Sequence, residues 1–154
     1  MIYLLASMML ALGVSALCSV LEATLLSLTP SQVAKLSANY PRRGALWQSF
    51  KSKIDRPIAA ILILNTAAHT IGATMAGAHF EALYGKHNLV WFSLIFTFLM
   101  LQFTEILPKT LGVRFNRRLA RYIAFPLSYL VVALRPVLYL VRSEEHTSEL
   151  HHSS

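Results

Sequence analysis

Ile58 to Phe80 is a run of twenty-three residues without a formally charged side chain. At about 1.5 Å of rise per residue, a run of that length crosses the roughly 30 Å hydrocarbon core of a bilayer as a single helix. Two further runs share this character: Met1 to Leu28 holds one charge, Glu22, and Leu89 to Gly112 holds Glu105 and Lys109. Lipid offers no hydrogen bonds to a backbone, so blocks like these must satisfy their amides and carbonyls internally. They predict an all-α membrane protein with spans at about 1–28, 58–80 and 89–112. The first run lacks the basic leader of a signal peptide and exceeds the length of its apolar region, so it is expected to remain as a transmembrane helix. Composition agrees, with 55% hydrophobic residues, 14% charged residues and a mean hydropathy of +0.52, outside the balance of a soluble domain.

The net charge of +7 comes from basic residues that flank the apolar runs. That placement suits anionic lipid headgroups and argues against a nucleic-acid partner. The single cysteine, Cys18, excludes an internal disulfide and reads as a small buried residue. Six Lys and Arg lie between Leu28 and Ile58, against one, Lys86, between Glu81 and Asn88. The positive-inside rule therefore places the N-terminus outside a cell membrane, and the connector and the Arg114, Arg117, Arg118, Arg121 cluster in the cytoplasm. Thr29 and Pro30 read as the cap and first turn of a new helix. The rest of the connector, Ser31 to Asp55, with Trp47 and Phe50 among its cations, is expected to lie on the surface against headgroups. Tyr122 to Leu134 is uncharged but only about 20 Å long as helix, and Pro126, Arg135 and Pro136 interrupt the longer stretch. Residues 114–141 are therefore expected to form a bent, partly buried, belt-like helical segment on the cytoplasmic side rather than a fourth span.

Polar residues inside the spans define a candidate site. Glu105 is an ionisable group at membrane depth, costing roughly 2.5–3.5 kcal/mol on insertion scales, and such residues mark function by default. Pro108 removes a backbone donor and frees a carbonyl one turn upstream. With helix rise as the ruler, Ser19 lies about 14 Å from the cytoplasmic end of its span, Asn65 about 11 Å and Glu105 about 10 Å. Ser15, Ser19 and Glu22 share one helix face by their spacing, as do Asn65, His69 and Gly72, while Gln102 and Glu105 are an i, i+3 pair. Hydroxyl, amide, carboxylate and carbonyl oxygens are hard ligands suited to Mg²⁺ or Ca²⁺. Glu22 and Lys109 both lie toward the cytoplasmic ends of their helices, and a pair between them is one reading of both. His69 reads as a polar helix–helix contact or as part of the ion path. No nucleophile–base pair is visible, so an enzyme is not expected.

Three stretches carry a resemblance: Ser19-Val20-Leu21-Glu22-Ala23, Leu64-Asn65-Thr66, and Glu105-Ile106-Leu107-Pro108-Lys109-Thr110-Leu111-Gly112. In order and spacing they resemble the signature stretches of the CNNM/CorC transmembrane domain, the membrane part of a magnesium transporter family. The resemblance implies a dimer of three-helix protomers with a cytoplasmic belt, exporting Mg²⁺ with Na⁺ as the coupling ion. It implies side-chain ligands from Ser19, Asn65 and Glu105 and a backbone carbonyl from Gly112; Ser15, Glu22, His69, Gln102, Pro108 and Lys109, read from their own positions, are expected to support them. The chain departs from the family pattern at Leu21, Thr66 and His69, which bears on sodium coupling more than on magnesium.

The homodimer is expected to use the Phe92/Phe96/Leu99 side of the third span and the small-residue face Gly72, Ala73, Ala76 and Gly77 of the second. Residues 142–154 look like a translated sequencing adapter and are expected to be a non-native tail. Their histidines, His146, His151 and His152, are not read as a metal site. A complete relative is expected to continue into a CBS-domain pair that binds adenine nucleotide, and then a small C-terminal domain. The alternative function is a membrane anchor or sensor module, whose polar residues only hold the helices together.

Overall fold

The computed structural model describes residues 1–140, and within them the chain is helical with no strand. Helix α1 runs Ile2–Ser27, α2 Pro30–Asn39, α3 Pro41–Ser52 and α4 Asp55–Tyr84. After a single 3₁₀ turn, Lys86–Asn88, come α5 (Leu89–Met100), a π-helical segment (Leu101–Ile106), α6 (Leu107–Arg114) and α7 (Asn116–Ala133). Three stretches are long and apolar enough to cross a membrane: Ile2–Ser27, Asp55–Tyr84 and Lys86–Arg114. They coincide with the three hydropathic runs, extended by a few residues at the ends of the second and third. Gly85 sets the boundary between those two: its φ of +82° is a conformation that glycine adopts without steric cost.

Helix α1 is the central element, packed against α4, α6, the π segment and α7. Its exit is closed by the predicted cap, in which the Gln32 amide donates to the Thr29 hydroxyl (3.2 Å) while the Thr29 amide donates to the Gln32 side chain (2.9 Å). Two longer ties fix that exit. Lys51 Nζ donates to the Leu25 carbonyl at 2.9 Å, and Asn116 Nδ2 donates to the carbonyl and hydroxyl of Ser27, both at 3.2 Å. A helix C-terminus exposes carbonyls without donors, and these side chains supply some.

The connector differs from the expected surface segment. Pro41 disfavours helix at the residue before it, so Tyr40 leaves the helical conformation (φ −136°, ψ 83°) and the connector breaks into α2 and α3. Trp47 and Phe50 leave the surface entirely. Trp47 is fully buried and its Nε1 donates to the Ala120 carbonyl at 2.7 Å, with Phe50 edge-on to it. Both join Leu25, Ile61, Ala124 and Leu127 in one core. The reason is α7, an amphipathic helix whose Ala120, Ile123, Ala124 and Leu127 cover the aromatic pair that would otherwise lie among headgroups. Pro126 sits inside α7, and the backbone turns at Leu134 before helix resumes at 135–140. The belt-like segment thus packs on the bundle, while the tail from 142 lies outside the described residues.

A second, smaller core fills the other end. Phe80, Phe92 and Phe96 stack at 4.3 and 5.6 Å between centroids, over Leu4 and Ala76. Part of the surface expected for a dimer is thus used within the chain, since Phe92 and Phe96 pack here and Gly72 is closed against Ala11 of α1, whereas Ala73 is exposed and a Cβ on Gly77 would meet nothing within 4 Å. On the third span, Trp91, Leu94, Ile95, Phe98 and Leu101 are exposed among the described residues.

Candidate metal centre

Polar side chains meet at three places along α1. At the first, the Ser15 hydroxyl is fully buried and donates to Asn65 Oδ1 at 2.6 Å, while His69 Nε2 contacts the same oxygen. A hydroxyl has one proton, so with Asn65 accepting it, the network assigns the hydrogen on His69 to Nε2. A serine–histidine contact is therefore present where the sequence showed none. It is a helix–helix contact rather than a nucleophile and base, since Ser15 is closed to any substrate and its proton is engaged by Asn65. Asn65 consequently meets α1 at Ser15, four residues and about 6 Å of helix rise away from Ser19. Ser15→Ala should leave Asn65 and His69 without their shared partner and lower stability by about 0.6–1.7 kcal/mol, the range for hydrogen bonds between membrane helices. Thermal unfolding in detergent measures it.

At the second place, one turn on, Ser19 is buried and its hydroxyl has no hydrogen-bond partner among the described residues; the same is true of Thr24. This is unusual for the chain, since Ser7, Thr74, Thr104 and Thr110 all donate to the carbonyl four residues before them. A buried hydroxyl without a partner costs about 1–3 kcal/mol. Between these two side chains Gly112 presses on α1: a Cβ there would stand 2.6 Å from Ala23 Cβ and 3.0 Å from the Val20 carbonyl oxygen. Only glycine lets α6 approach α1 so closely.

At the third place lies the interrupted span. The Leu107 amide donates to the Gln102 carbonyl, five residues back, instead of to Phe103. The residue five after Phe103 is Pro108, which has no N–H. The Phe103 carbonyl thereby loses both its α and its π donor, and Thr104 loses its α donor. Pro108 signalled the fault, but the widened turn from Leu101 to Ile106 carried no sequence pattern of its own. Such π segments gather at functional sites. Within it, Glu105 is partly exposed and pairs with Lys109 at 3.0 Å. This corrects the pairing of Lys109 with Glu22. A separation of i, i+4 on one helix brings Glu105 alongside the ammonium, whereas Glu22, on α1, makes no ion pair with Lys109. Gln102 is half-buried and Pro108 buried beside this pair. Among the described residues no three His, Cys, Asp or Glu side chains converge. Thr24 and Thr104, both fully buried, were missed in the sequence because a single threonine in a span ordinarily satisfies itself on its own helix.

The model of the Cyclin M transmembrane N-terminal domain matches residues 6–143. The chain belongs to the CNNM family. Its CNNM relatives include a UPF0053 protein of Synechocystis, 36% identical over 92% of this chain and 41% of the relative. They also include the UPF0053 inner membrane protein YfjD of Escherichia coli, 24% identical over 84% of this chain and 30% of the relative, and a chloroplastic DUF21 domain-containing protein of Arabidopsis thaliana, 28% identical over 82% and 19%. The chain spans about two-fifths or less of the length of these relatives. What it provides is the membrane domain of a CNNM protein.

Proposed function

We propose that this CNNM domain carries Mg²⁺ across the membrane, outward from the cytoplasm and in exchange for Na⁺, through a site made by Ser19, Asn65, Glu105 and the Gly112 carbonyl. The observation that carries the reading is Glu105 itself: a carboxylate held at membrane depth, in a π segment that frees backbone carbonyls, on a span packed against α1, the helix that carries the unpartnered hydroxyl of Ser19. Mg²⁺ gives up water reluctantly and asks for oxygen ligands at about 2.0–2.1 Å; a carboxylate supplies the charge that offsets that dehydration. An ion reaching Glu105 must displace the Lys109 ammonium, so Lys109 holds the carboxylate between transport events. Ser15 and His69 orient Asn65, Pro108 maintains the break, and Gln102 and Glu22 border the site.

The domain works as a homodimer with its N-terminus outside a plasma membrane and its basic end in the cytoplasm. Adenine nucleotide would act only through CBS domains of the kind expected beyond this membrane part. A second reading, an anchor or sensor without transport, is favoured by the way Ser15, Asn65 and His69 satisfy one another and Glu105 satisfies Lys109 without any ion. Proteoliposomes loaded with a Mg²⁺-sensitive dye separate the two. Transport predicts Mg²⁺ flux that grows with an opposed Na⁺ gradient and is absent in Glu105→Gln; flux no greater than in empty liposomes supports the anchor.

A further inference from the structure

The basic end of the bundle contains two neighbouring cavities, of about 350 and 560 Å³, that share Asn39 and Tyr40. Lys35, Arg117, Arg118 and Arg121 line the first and Arg42 and Arg43 the second, with no acidic residue in either. The cations here are positioned by neutral groups. Arg121 donates to the hydroxyls of Tyr40 (3.0 Å) and Tyr122 (3.2 Å) and lies over both rings, while Arg43 lies over the rings of Tyr40 and Phe125 at 5.0 and 5.7 Å. Among the described residues only Lys86 and Lys109 pair with carboxylates. Aromatic faces and hydroxyls fix a guanidinium without neutralising it, so these arginines keep their charge for an outside anion. Tyr40 stands at this point because Pro41 breaks the helix beside it.

We propose that this pair of cavities is a binding site for the phosphate headgroup of an anionic phospholipid, gripped by Arg43 of α3 and Arg121 of α7, which both lie against Tyr40 at the α2–α3 break. Arginine presents a planar fork of donors that matches phosphate oxygens, and basic pockets between helices at a membrane edge bind acidic headgroups. A lipid is the occupant, rather than a soluble phosphate, because the cavities open at the end of the first span. Leu28, which follows α1, closes the floor of one, where Leu36 is partly exposed, and the exposed ring of Phe125 lines the other, leaving an apolar margin for the start of an acyl chain. The proposal is independent of the ion site.

The test uses the full chain in nonionic detergent, titrated with fluorescently labelled phosphatidylglycerol and, separately, phosphatidylcholine. Phosphatidylglycerol should bind at least about tenfold more tightly. The pair Arg43→Gln with Arg121→Gln should remove most of that preference, whereas Lys53→Gln with Arg56→Gln, which deletes as much charge from the connector outside both cavities, should change it less than about twofold. Should the first pair fail to fold, Lys35→Gln with Arg118→Gln removes two exposed lining charges and should act in the same direction. Equal losses in the lining and control pairs would overturn a built site in favour of diffuse attraction. Inorganic phosphate protecting the protein from heat as well as phosphatidylglycerol does would overturn the lipid assignment.

Discussion

Glu105→Gln is expected to abolish the stabilisation that Mg²⁺ confers while leaving the helices formed. The amide keeps the shape of the side chain and one carbonyl oxygen, so the π segment and its packing on α1 persist. What disappears is the charge. A ligand present at about 100 times its Kd stabilises the folded state by about 2.7 kcal/mol, and that increment should fall to nearly nothing in the variant. Without ion, the variant loses only the pair with Lys109, an i, i+4 contact with both side chains partly exposed and worth about 0.3–0.5 kcal/mol. Lys109→Gln should act the opposite way, raising Mg²⁺ affinity several-fold, because the ammonium no longer competes for the carboxylate. Melting wild type and both variants with and without Mg²⁺ reads all three effects, and a Mg²⁺-dependent rise that survives in Glu105→Gln would remove the carboxylate from the site.

The second large effect belongs to Gly112. Alanine there should destabilise by about 1–3 kcal/mol, the cost of overpacking a closed interface. The atoms that its Cβ meets are Ala23 Cβ and the Val20 carbonyl, neither of which is the loose end of a flexible side chain. Helix α6 must therefore move off α1, carrying the Gly112 carbonyl with it, and on the proposed site Mg²⁺ affinity should fall together with stability. Gly77→Ala is the comparison, since nothing lies within 4 Å of a Cβ at that position, and alanine in an open helical site is neutral or mildly stabilising. Thermal unfolding of the two variants side by side tests this; similar melting temperatures would mean that α6 does not need its close approach.

Three spans were legible in the sequence because each is a block of twenty or more apolar residues, a signal that needs no knowledge of packing. The Thr29-Pro30 boundary was legible for an equally local reason, a cap and a first-turn proline. Trp47 and Phe50 were not. Their spacing and basic neighbours fit an interfacial helix, and what buries them is α7, more than seventy residues away. For the candidate site, depth measured from helix ends cannot resolve one turn, and Asn65 meets Ser15 rather than Ser19. Likewise Pro108 announced a broken ladder without saying how the backbone would repair it, and the repair through Gln102 is what sets Glu105 beside freed carbonyls. The pairing of Lys109 turned on proximity along one helix, which outweighed the shared depth that suggested Glu22.

Calorimetric titration of Mg²⁺ into the purified chain, in parallel with Glu105→Gln, addresses the ion site most directly. The account predicts saturable binding of one Mg²⁺ per chain in the wild type and only the heat of dilution in the variant. Saturable heat of the same size in both, or none in the wild type, would contradict it.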